Sequence, residues 1–152
     1  MKHSKSSLFL MEMIVCILFF SLSAAVSAQM FAKSHIISET AINENYAVIE
    51  VNNMAEAFYS ESGDLKAISE KFYSGNSVLG VSNLMVYFDS EFNIVSSESG
   101  SASYYVSVVE SDNLEKHMKN AKISFYDLKD SSDSVYSLDV SVNMPNTPSD
   151  VK

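Results

Sequence analysis

The chain has 152 residues, 47% of them hydrophobic, with 10 lysines, no arginine and 19 acids. That is enough for one modest domain with a core of its own, and the formal charge of −9 without any arginine is unsuited to nucleic acid, whose phosphates need a basic partner. A single cysteine, Cys16, excludes an internal disulfide and a cysteine metal centre.

Residues 1–7, MKHSKSS, form a short basic leader. Residues 8–31, LFLMEMIVCILFFSLSAAVSAQMF, are apolar apart from Glu12. As a helix they would measure about 36 Å, enough to cross a hydrocarbon core of about 30 Å. A carboxylate in lipid costs roughly 2.5 to 3.5 kcal/mol, so Glu12 implies a partner or a function. Lys2 and Lys5 before the apolar run favour a cytoplasmic N-terminus and an exported remainder, although Lys33 lies just beyond the other end. The charge is divided accordingly: residues 1–33 carry net +2, and residues 34–152, with 7 lysines and 18 acids, carry net −11.

No glycine or proline interrupts the chain before Gly63, so one helix is expected from about Leu8 to about Ser62. Its half beyond the apolar run, residues 32–62, is amphipathic, with Ile37, Ala41, Val48, Val51, Ala55 and Phe58 on one stripe. Gly63 stops the helix, Asp64 caps a second one over residues 65–72, and Ser74-Gly75-Asn76 ends the helical part. The period then becomes two, predicting strands over residues 82–88, 102–109, 121–126 and 136–142. The expected fold is α+β: a long N-terminal helix packed on a small antiparallel sheet of about four strands. The head comprises residues 63–144, and residues 145–152, which hold both prolines, form a loose tail.

A short basic leader, an apolar run with one glutamate near its start, an uninterrupted amphipathic helix and a small antiparallel sheet resemble the plan of type IV pilin-like proteins, including the pseudopilins of type II secretion and competence systems. The motif covers about residues 6–31 and the architecture the whole chain. The resemblance implies a structural subunit without catalysis of its own, held in the cell membrane by a single span and assembled through its N-terminal helix with other pilin-like subunits. It implies cleavage by the prepilin peptidase between Ser7 and Leu8, methylation of the new amino group at Leu8, and pairing of Glu12 with the amino terminus of a neighbouring subunit. The family most often places glycine before the cut and phenylalanine after it, where this chain has Ser7 and Leu8, with Phe9 next. The absence of a proline from the apolar half and of a cysteine pair from the head points to a minor subunit.

A second reading remains open. Val26-Ser27-Ala28 before Gln29 has the small-x-small pattern of a secretory signal cleaved after Ala28, which would release an acidic binding module, or leave one anchored if the span is uncleaved. Cys16 follows Met13-Ile14-Val15, without the small residue a lipoprotein signal places before its cysteine. His3, His35 and His117 are dispersed, and no serine lies in a nucleophile motif, so no catalytic, cofactor-binding or metal-binding residue is expected. Asp127, Asp130 and Asp133 lack the glycine and spacing of a calcium loop and read as a solvated turn. Tyr104, Tyr105, Tyr126 and Tyr136 could line an adhesive surface or pack across strands.

Overall fold

The structure is a computed structural model that describes residues 4–74, 76–111 and 118–143, with side chains from Ser7 onward. Met1, Lys2 and His3 of the leader, Gly75, His117 and the tail lie outside the described residues. The chain forms two compact units, Met1–Ile42 and Asn43–Lys152. Both draw on one helix, α1 (Ser4–Ser60), which begins four residues before the apolar run, within the basic leader.

In the first unit the helix is exposed on every side. Leu8, Phe9, Phe19, Phe20, Met30 and Phe31 are between 63 and 78% exposed. This helix is long and apolar enough to cross a membrane, and none of its most apolar window is buried. Ser21, Ser27 and Thr40 turn their hydroxyls back on the helix, donating to the carbonyls of Ile17, Ser23 and Ile36 at 2.7, 2.9 and 3.0 Å. Each hydroxyl is thereby satisfied within its own segment, as an apolar surrounding requires.

In the second unit the remainder of α1 packs on the sheet. Its buried residues are Ala47, Val51, Met54, Ala55, Ala57 and Phe58, a stripe recurring every three or four residues. The expected stripe is out of phase at its start: Ile37 and Val48 are exposed, and Ala47 takes the place assigned to Val48. At 100° per residue Val48 lies a quarter-turn off the line through Ala47, Val51, Met54 and Phe58, and close packing on the sheet favours the small alanine.

The end of α1 is built by local chemistry. Ser62 and Gly63 adopt positive φ (51° and 75°), and the Gly63 amide donates to Phe58 O at 2.8 Å, which closes the helix in a Schellman-type turn. Asp64 then caps α2 (Leu65–Phe72), accepting from the amides of Lys66 and Ala67 at 3.0 and 3.1 Å. Leu65, Ile68 and Ser69 are its buried face, whereas Phe72, four residues after Ile68, is 45% exposed.

The antiparallel sheet has six strands: β1 (Ser77–Leu79), β2 (Asn83–Phe88), β3 (Ile94–Val95), β4 (Tyr104–Ser111), β5 (Met118–Asp127) and β6 (Tyr136–Asn143). The order is β1-β2-β4-β5-β6, with β3 beside the end of β2. The four expected strands are β2, β4, β5 and β6; β1 and β3, of three and two residues, are additional. Leu84, Val86, Phe88, Val106, Val108, Ala121, Ile123, Phe125 and Val140 share the face that meets the helices, and with Val51, Met54, Phe58 and Ile68 they form the core. Each of these side chains except the small Ala121 stabilises the fold by about 1.5 to 3 kcal/mol relative to exposure.

Candidate functional site

Ser7, Leu8 and Glu12 all lie on α1. Ser7 and Leu8 are exposed, and the bond between them is part of a continuous helix. Glu12 is exposed and forms no ion pair or hydrogen bond among the described residues. Its helical neighbours at three and four positions are Leu8, Phe9, Val15 and Cys16, none of them a cation; Lys5 stands seven positions before it, at the start of α1. A carboxylate so placed is served by water, or in lipid by a cation from another molecule. On the opposite face of the helix from Glu12, Ile14, Ile17, Leu18, Ser21, Leu22 and Ala25 line a shallow apolar groove.

The head holds its polar groups in local arrangements. Lys119 Nζ donates to Gly63 O at 3.0 Å and reaches Glu110 Oε1 at 3.4 Å, tying β4 and β5 to the turn after α1. Lys71 Nζ meets Glu61 Oε1 at 2.6 Å across the same turn. Asp89 accepts from the amides of Glu91 and Asn93 at 2.8 and 2.9 Å, and the Asn93 amide above all holds its carboxyl below the usual range. This loop presents Phe92, at positive φ (62°), between Tyr46 (centroids 3.8 Å, rings 8° apart) and Tyr104 (4.9 Å, 13°). Tyr104 also donates to Asn43 Oδ1 at 3.2 Å. Of the acids suspected of binding calcium, Asp127 accepts the Lys129 amide at 2.8 Å and Asp130 the Ser132 hydroxyl at 2.6 Å.

Two ionisable groups of the helical part are displaced by burial. Glu50 on α1 is raised from its ordinary value by desolvation, partly offset by a hydrogen bond from Asn53. Tyr73 is pushed up to about 12 by desolvation and then by the negative charge of Glu50; its hydroxyl faces Met54 Sδ at 3.8 Å. The described residues hold no cluster of three or more His, Cys, Asp or Glu able to bind a metal.

The tyrosines are divided between the two faces of the sheet. Tyr104 and Tyr136 pack against the core, whereas Tyr105 and Tyr126 point the other way. Adjacent residues of a strand cannot share a face, so Tyr104 and Tyr105 were bound to separate. Tyr87 joins the outer pair in a row across β2, β4 and β5: Tyr105 and Tyr126 stack with centroids 4.9 Å apart, and Tyr87 lies tilted at 33° to Tyr105 with centroids 5.9 Å apart. Desolvation in this row, with Tyr126 and Tyr87 alongside, raises the Tyr105 hydroxyl above its ordinary value. Neither a protein-family model, nor a curated protein, nor a solved structure matches the chain.

Proposed function

We propose that this protein is a structural pilin-like subunit, anchored by α1 with its N-terminus in the cytoplasm and its acidic head outside, that joins other pilin-like subunits through that helix in a type IV pilus or a secretion or competence pseudopilus. The observation that carries the reading is Glu12: one carboxylate on an otherwise apolar, exposed helical surface, with no ion pair or hydrogen bond among the described residues. Lipid opposes an unpaired carboxylate, so the residue gains stability only when another molecule brings a cation to the same depth. A helix-terminal ammonium of the adjoining subunit, freed by the prepilin peptidase at Leu8, would be such a cation, and its offset from Glu12 would fix the register between neighbours.

Two measurements test it. The intact mass of the protein from its native membrane should show loss of residues 1–7, with one methyl group added; loss of residues 1–28 would mean a secretory signal, and full length a plain anchor. Glu12→Ala should insert normally yet fail to enter filaments, and normal incorporation would sink the assembly role.

A further inference from the structure

The two edges of the sheet are finished differently. On one side β2 is flanked by β1 and β3, three and two residues long, so that edge is short and broken. Such interruption is a recognised way to stop an edge from templating another chain. The opposite edge is β6, eight residues in unbroken one-to-one register with β5 from Met118↔Asn143 to Phe125↔Tyr136. Among the described residues nothing pairs with its outer side.

An edge strand directs alternate backbone N–H and C=O groups away from its sheet, and these are obligatory hydrogen-bonding groups. β6 carries none of the usual protections: it contains no proline, no lysine and no bulge, and its only charge is Asp139. Its inward side chains Tyr136, Leu138 and Val142 pack against the core but stay partly open, whereas Val140 is buried. A strand laid beside them would complete their cover.

We infer that β6 accepts an extended segment of another polypeptide as a seventh strand. Main-chain hydrogen bonds would supply affinity, and alternate side chains specificity. The inward positions of the incoming segment are apolar, continuing the face of Leu138, Val140 and Val142. Its outward positions, on the side of Asp139, are lysine or arginine. Charge selects this partner over a second copy: from Asn43 onward the chain has 17 acids against 7 lysines, so another copy would bring like charge to the edge.

The test uses the full chain in detergent micelles and a capped octapeptide of alternating valine and lysine. Amide hydrogen exchange should slow about tenfold or more at alternate positions of β6 on saturation, with β1 and β3 unchanged. Replacing every lysine of the peptide by glutamate should weaken binding, and Asp139→Lys should weaken the lysine peptide about two- to fivefold, the worth of one exposed charge pair. Leu138→Lys, which turns a charge inward at the edge, should abolish the added protection; should it unfold the head, Asp139→Lys still decides. The inference fails if β6 does not slow, if a peptide with proline at its centre protects equally, or if β6 is already protected in the free chain in proportion to chain concentration, which would make the partner a second copy.

Discussion

The turn that ends α1 offers the sharpest test of how the head is held together. An alanine at Gly63 would keep the positive φ of 75°, which costs a side chain about 1 to 2 kcal/mol. Its Cβ would also lie 2.8 Å from Lys119 Cδ and 3.0 Å from Phe58 Cζ. The lysine can retreat, at the expense of its 3.0 Å hydrogen bond to Gly63 O, a loss of about 0.5 to 1.5 kcal/mol. The Phe58 ring cannot, being wholly buried, and crowding in a packed core costs about 1 to 3 kcal/mol. Lower entropy of the unfolded chain returns about 0.4 to 1 kcal/mol. Gly63→Ala should therefore destabilise the head by about 2 to 6 kcal/mol, a large part of the roughly 5 to 15 kcal/mol available to a domain. Urea unfolding of the full chain in micelles, followed by near-ultraviolet tyrosine dichroism since tryptophan is absent, should show the midpoint fall by about 1 to 3 M. Asn tolerates the left-handed region but brings the same Cβ, so Gly63→Asn should recover only the strain, about 1 kcal/mol. A loss below about 1 kcal/mol for alanine, or full recovery by asparagine, would refute the steric argument.

Other substitutions probe other contacts. Because Glu50 is raised in the folded state, its contribution is fully present below its unfolded value and is lost as pH rises through the folded one; Glu50→Gln should raise the urea midpoint at pH 7 and leave it unchanged below about pH 4. The same sign governs Tyr73, whose hydroxyl is pushed up to about 12: stability should fall by about 2 to 3 kcal/mol between pH 10 and 12, and Tyr73→Phe should remove that alkaline limb. Phe92→Ala removes the stacks on Tyr46 and Tyr104 and should cost about 1 to 3 kcal/mol, read by denaturation together with faster amide exchange in the Asp89–Asn93 loop.

The outline of this protein was legible in its sequence because its signals are local. Sixty-two residues without glycine or proline dictate a long helix, Ser62-Gly63-Asp64 dictates its end and the cap of α2, and period-two alternation marks the four long strands. Glu12 is conspicuous for the same reason, since its oddity is one of composition: an acid among apolar neighbours needs no coordinates to be noticed. The faces of the tyrosines follow from strand parity, with Tyr104 inward and Tyr105 outward.

What required the tertiary structure was everything set by distance across the chain. β1 and β3 are too short to carry a period and exist because β2 offers hydrogen bonds along that side. The phase of the buried stripe on α1 was decided by the sheet beneath it, which takes Ala47 and leaves Val48 at the margin. The stacking of Phe92 between Tyr46 and Tyr104 depends on three segments far apart in sequence. Strand order likewise is a property of pairing, and it alone places β6 at an edge of the sheet among the described residues. Local patterns fix what each segment becomes; only contacts between segments determine which of its groups remain without a partner.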